Sequence, residues 1–209
     1  MTVPEPKRAL ARPTARGRET LAAIEAAARK VIEDKGFLRL TVGDIAAESG
    51  RSAASFYNYF DSKEDLVRYW ARGFQDEARE RAAPAYEHGL TARDRIDRSA
   101  RAHWDTYRER LAEMIAISQL AMVDDDFAHF WHDLCGLAID GIARTIERAQ
   151  SDGYCPGIAR EATAEAIVAM LNQFCYEQLA DRRHGRGVAE DVAVATLADI
   201  WFRAIYWRP

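Results

Sequence analysis

TVGDIAAESGRSAASFYNYFDSK, residues 41–63, reads as two short helices joined by the turn Ser49-Gly50-Arg51. Thr41 is placed to cap the first helix, its hydroxyl accepting from an orphan first-turn amide, and Asp44 three residues on can reach back. Ile45 and Ala46 give that helix an apolar edge. Gly50 ends it, because glycine takes the left-handed conformation without a steric penalty. Ser52 offers a second cap. Phe56 and Phe60, four apart with Tyr59 between them, put one aromatic stripe inward, so the second helix anchors by its C-terminal half. Its first turn, Ser52, Ala53, Ala54 and Ser55, is small and polar, which lets the backbone approach a groove and turns the positive helix end toward phosphates. Together the two helices have the sequence shape of a DNA-reading helix-turn-helix.

Upstream, Leu21, Ile24, Ala28 and Val31 recur at helical spacing and stop at Lys35-Gly36, a basic last turn followed by a C-terminal glycine. Downstream, Asp61 with Glu64, or Ser62 with Asp65, offers a capping box ahead of Leu66, Val67, Tyr69 and Trp70, so another helix starts at once. Residues 1–17 carry Pro4, Pro6, Pro13 and Gly17 among Lys7, Arg8, Arg12 and Arg16, and read as a flexible basic arm. Such an arm either enters a minor groove or serves as a solubilising tail.

The ordered series Gly36-Phe37, Thr41-Val42, Ile45-Ala46, Gly50, Ser52, Phe56-Tyr57, Tyr59-Phe60, Lys63 and Leu66 resembles the tetracycline-repressor-like (TetR-type) transcriptional regulators, over about Arg18 to Leu66. Two positions depart from that pattern. Arg51 stands where the family usually has a small apolar residue, and is either a phosphate contact or a solvated turn residue. Gly43 stands where many members carry a polar side chain that reaches DNA, and gives up that contact. The resemblance implies that Ser52, Ala53, Ala54, Ser55 and Asn58 face base edges, while Thr41, Tyr57, Tyr59 and Lys63 hold the DNA backbone. Asn58 suits adenine, and the methyls of Ala53 and Ala54 suit thymine.

Charge divides along the chain. Residues 1–60 hold 10 Lys/Arg against 7 Asp/Glu, and residues 61–209 hold 19 against 26, within a total net charge of −4. Polyanion binding therefore belongs to the N-terminal part, and the acidic remainder is repelled by DNA. Cys135, Cys155 and Cys175 form no Cys-x-x-Cys pair, no apolar leader precedes the arm, and no stretch is long enough to span a membrane. A reduced, cytoplasmic protein is expected.

Beyond residue 61 the period stays helical, with breaks at Pro84 and Gly89, at Ser151–Gly157 and at His184–Gly187. Helices are expected over about 93–110, 111–123, from Asp124-Asp125-Asp126 to Gln150, 160–181 and 188–206. The fold class is all-α, of about nine helices: an arm (1–17), a helix-turn-helix domain (18–61) and a larger C-terminal domain (62–209). The helices at about 160–181 and 188–206 are apolar on more than one side. A homodimer through them is expected over a buried pair in a monomer, because a two-headed DNA reader needs a dimer; in the resembling family they form a four-helix dimer bundle.

No nucleophile elbow, phosphate loop or cofactor motif is present, so neither an enzyme nor a cofactor is expected. His129, His132 and Asp133 share one helix, but their spacing is weak evidence for a metal, and a solvated pair explains it better. His103, Trp104, Tyr107, Met114, Ile117, Met122, Phe127, Phe130, Trp131, Asn172, Phe174 and Tyr176 lie on helices expected to converge, either as core or as the lining of a ligand pocket. The pocket is implied mainly by the resemblance, whose second domain binds a small molecule that lowers DNA affinity. The expected function is a homodimeric regulator of a palindromic operator, a repressor released by a small apolar or amphipathic effector. Its heads would stand roughly 34 Å apart or wider, and a helix from Ser62 to about Ala83 would join the two domains of each chain. Two rivals are a helical metabolite-binding protein or enzyme with a vestigial head, and a helical dimerisation partner. Activation in place of repression also stays open, since its sign depends on operator position.

Overall fold

The computed structural model describes residues 14–182 and 187–209. Among them are nine α-helices and no strand: α1 (Ala15–Lys35), α2 (Val42–Ser49), α3 (Ala53–Tyr57), α4 (Lys63–Ala82), α5 (Ala92–Glu109), α6 (Leu111–Ala121), α7 (Asp125–Ser151), α8 (Arg160–Arg182) and α9 (Glu190–Ile205). A 3-10 turn, Ala83–Tyr86, is set by Pro84 at the point where the α4 pattern breaks. Most of the basic arm, and His184 to Arg186 of the second expected loop, lie outside the described residues. The arm's last residues are helical: Thr14 accepts from the Gly17 amide and starts α1 at Ala15.

The described residues form two compact units. The first takes in the described part of Met1–Ala71 with Ala112–Ala128; the second takes in Arg72–Leu111 with the described part of His129–Pro209. α4 is divided between them at Ala71, and α6 belongs to the first. The core of the first is Leu21, Ile24, Ala28 and Ile32 of α1 with Phe37, Leu40, Ile45, Phe56, Phe60, Leu66, Val67 and Trp70. Ile32 rather than Val31 continues the buried stripe of α1.

In the second unit α5 packs on α8, α9 and the 3-10 turn. Its start is set by Thr91 and Asp94, whose side chains each bond the other's amide. Ile96, Ala100, Trp104 and Tyr107 of α5 meet a core supplied by α8 (Ile167, Leu171, Cys175) and α9 (Val194, Leu197, Trp201). Arginines on α5 pair with α9 at the rim: Arg93 with Asp199 at 2.5 Å, and Arg101 and Arg108 with Glu190 at 2.8 and 2.9 Å. Each such surface pair contributes little by itself.

Candidate nucleic-acid interface

Both halves of the capping box at Thr41 are formed. Its Oγ1 accepts from the Asp44 amide at 3.2 Å, and Asp44 accepts from the Thr41 amide at 2.8 Å. The Lys35 ammonium, 2.6 Å away, and the Thr41 hydrogen bonds hold the Asp44 carboxyl down at about 2. α2 ends where Gly50 turns left-handed, φ 63°, and donates to the carbonyls of Ala46 and Ala47.

Ser52 then caps α3: its Oγ accepts from the Ser55 amide at 3.2 Å and shares a hydrogen bond with the Ser55 hydroxyl at 3.0 Å. Phe56 and Phe60 are buried with ring centres 5.4 Å apart, and Phe60 packs against Tyr69 of α4. The anchored back leaves Ser52, Ala53, Ala54, Tyr57 and Asn58 exposed, with Ser55 and Arg51 half-buried. Five of the residues expected to meet DNA thus share one open face of a short, capped helix. Arg51 has Glu19 at 3.9 Å, the outer limit of an ion pair.

Two of the expected backbone contacts are spent inside the unit. Tyr59 is buried, and its hydroxyl donates to the Gly17 carbonyl at 2.9 Å, tying the first turn of α1 to the end of α3. The Lys63 ammonium lies over the Phe37 ring and donates to the carbonyls of Leu40 at 2.9 Å, Phe37 at 3.3 Å and Leu38 at 3.4 Å. An ammonium has three donors, so these carbonyls use its full complement. Neither role is visible in the sequence, because each partner is a backbone group more than twenty residues away.

The residues expected to line an effector pocket fall in both units. Met114, Ile117 and Phe127 are core residues of the first, where Arg68 lies over the Phe127 ring, and Met122 is 74% exposed. In the second, His103, Tyr107 and Trp131 surround Phe74 with ring centres 5.5 to 6.2 Å from it. Beside them the Cys135 thiol takes the amides of Gln75 at 3.4 Å and Asn172 at 4.0 Å. Trp104 is buried, Phe130 lies under Arg72, and Phe174 and Tyr176 are half-buried.

His103 as a whole is not fully buried, yet its Nε2 is sealed from solvent and has no partner among the described residues. Burial lowers its pKa to about 4, opposed in part by the Leu171 backbone, so the ring is neutral at pH 7. Burial likewise pushes the Cys135 thiol up to about 11 and raises Cys175, which keeps both protonated. Phe74, Gln75 and Cys135 were not among the pocket residues expected from the sequence; Phe74 lies one turn beyond Trp70 on α4, which is the signal that points to it. His129, His132 and Asp133 are all exposed on α7. A surface cleft of about 370 Å³ opens between Arg81, Pro84, Arg98, Arg101 and Asp105. Its arginines are already paired with Glu77, Glu87, Glu109, Glu190 and Asp191.

A family model for bacterial regulatory proteins of the tetR family matches residues 24–69, the stretch that holds this capped pair of helices. The HTH-type transcriptional regulator EthR of Mycolicibacterium smegmatis is 29% identical over 202 residues, covering 94% of this chain and 89% of its own. Residues 24–69 are thus a tetR-family helix-turn-helix segment, and the likeness to EthR runs along most of the chain. Among solved structures, a tetR-family regulatory protein from Rhodococcus RHA1 aligns with TM-score 0.73 at 19% identity, covering 91% of this chain and 99% of that one. The ketosteroid transcriptional regulator KstR2 of Mycobacterium tuberculosis aligns with TM-score 0.67 at 17% identity, covering 92% and 98%. At those identities the structures establish the fold of this chain. It is a DNA-binding transcriptional regulator with an N-terminal helix-turn-helix. Among the described residues no helix is long and apolar enough to cross a membrane.

Proposed function

We propose that two copies of this chain bind a palindromic operator, with the exposed face of α3 in successive major grooves, and that a small molecule in the second unit releases them. The observation that carries this is the open face Ser52, Ala53, Ala54, Tyr57 and Asn58, mounted on the buried rings of Phe56 and Phe60. Asn58, Ala53 and Ala54 read bases; Tyr57, Arg51 and the amides at the start of α2 and α3 meet phosphates. Thr41 and Ser52 act as caps that aim those amides, and Lys63 and Tyr59 hold the head together from behind. The chain acts by binding, and no residue is assigned a catalytic role. Electrophoretic shift of the DNA flanking its own gene, at two salt concentrations, tests the reading. A shift that weakens steeply with salt is expected, and none even in dilute buffer would refute it.

The dimer forms through α8 and α9. Val192 is 55% and Ile200 50% exposed on one side of α9, while Ala162, Ala166 and Ala169 line an open side of α8. Small and aliphatic residues on open helix faces suit close packing against a copy. Light scattering should give a dimer at micromolar concentration.

The effector meets the rings of Phe74, His103, Tyr107 and Trp131, with His103, Gln75 and Asn172 as polar groups. An apolar or amphipathic compound suits that lining, and KstR2, a ketosteroid regulator by its description, shares the fold. Release needs an effector that favours one of two arrangements of the protein. α4, which runs from Lys63 to Ala82, is the element through which the two heads are set apart or together. Structures with and without a releasing compound that show equal head separation would overturn this mechanism.

A further inference from the structure

α6, LAEMIAISQLA, belongs to the first unit although the chain reaches it only after the whole of α5. Two of its polar side chains reach back to α1 and the turn behind it. Glu113 is buried and accepts from Arg29 of α1 at 2.8 Å. Gln119 Oε1 accepts from the backbone amides of Phe37 at 2.8 Å and Leu38 at 3.4 Å. Gly36, φ +78°, takes a conformation that favours glycine, and a Cβ there would stand 3.3 Å from Gln119 Oε1, so that the amide would have to shift by a few tenths of an ångström. From the other side Lys63 takes the carbonyls of Phe37, Leu38 and Leu40. The turn Gly36–Leu40 is thus gripped by its amides from α6 and by its carbonyls from α4. Leu40 is followed at once by Thr41, the cap of α2.

We infer that Gln119 is a positioning residue for sequence reading. It fixes the Gly36–Leu40 turn, and through Thr41 the angle at which α2 presents α3 to base edges. This rests on the DNA-binding role proposed above. Phosphate contacts tolerate a small misplacement of the head, whereas hydrogen bonds to base edges do not. Losing the Gln119 acceptor therefore costs discrimination before it costs general affinity.

The test compares wild type, Gln119→Ala and Gln119→Glu by fluorescence anisotropy. The probes are a duplex that the wild-type protein enriches from a random pool and a mixed-sequence duplex of equal length. Gln119→Ala is expected to bind the enriched duplex about tenfold more weakly and the mixed duplex within about twofold of wild type, with the salt slope kept. Gln119→Glu, which retains an oxygen acceptor, is expected to restore the enriched-duplex affinity. Equal losses on both duplexes, no loss on either, or failure of the glutamate to restore would overturn the inference. If the alanine variant is unfolded, Gln119→Met, which keeps the volume without the acceptor, takes its place. If that is unfolded too, the residue supports the fold and the inference is wrong. A wild-type protein that enriches no duplex would instead overturn the DNA-binding reading itself.

Discussion

Around the Gly36–Leu40 turn of the first unit the backbone groups are claimed from two sides, by Gln119 and by Lys63, and the caps at Thr41 and Ser52 are closed. In the second unit the Nε2 of His103 sits sealed among aromatic rings without a partner among the described residues. A buried polar atom without a partner carries a desolvation penalty that a head presenting fixed atoms to a stiff duplex would gain nothing by keeping. A unit that admits a small molecule gains from one, because the incoming group can satisfy it. The difference separates a part built for fixed geometry from a part built to be completed by something else.

The sharpest way to break that division is to remove the second copy. Val192→Asp with Ile200→Asp places two charges on the open side of α9 and should leave a folded monomer. Its operator affinity should fall by about a hundred- to ten-thousand-fold, as linked binding is lost; sedimentation and anisotropy together check it. A monomer with undiminished affinity would show that each head reads alone.

Phe56→Ala empties the support of α3 and should cost about 3–5 kcal/mol of stability, measured by urea unfolding. A smaller cost would mean that the reading head is less tightly built than its rings imply. Acid should act on the other unit. The pKa of His103 lies near 4 when folded and near 6.5 when unfolded. The unfolded chain therefore binds the proton first, so stability is intact above about pH 6.5 and falls as pH drops toward 4, by roughly 2–3 kcal/mol. His103→Phe should flatten that slope, seen in melting temperatures from pH 7 to pH 4. Asn58→Ala should be the mildest, about 1–3 kcal/mol at one base step with other positions unchanged, measured with single-substituted duplexes. A uniform loss across all duplexes would move Asn58 from reading to anchoring.

How far the sequence reveals this arrangement depends on how local each interaction is. The caps at Thr41 and Ser52, the Gly50 stop and the Phe56/Phe60 anchor use partners within four residues, and all are legible as spacing. Ser62 and Asp65 make half of the box their spacing suggests: the Ser62 hydroxyl accepts from the Asp65 amide, while the Asp65 carboxylate accepts from the Asp61 amide. Tyr59 and Lys63 are different: an exposed-looking tyrosine and lysine beside a reading helix turn inward to carbonyls of Gly17 and of Phe37 to Leu40. α6 shows no face in its pattern because it is apolar nearly all round, so periodicity does not say which unit claims it. Its single charge, Glu113, carried the hint, since a lone carboxylate in such a helix is kept only with a partner. Met114 on α6 and Phe127 in the first turn of α7, expected in a pocket, belong to the first unit's core.

Cys135, Cys155 and Cys175 are all buried, and all three belong to the second unit. Thiols sealed and kept protonated in this way react with iodoacetamide only when the surrounding helices part. The natural chain thus carries its own clock for breathing of the second unit, silent about the first. Slower alkylation in the presence of a candidate compound would report that the compound has been taken in, before any promoter is known.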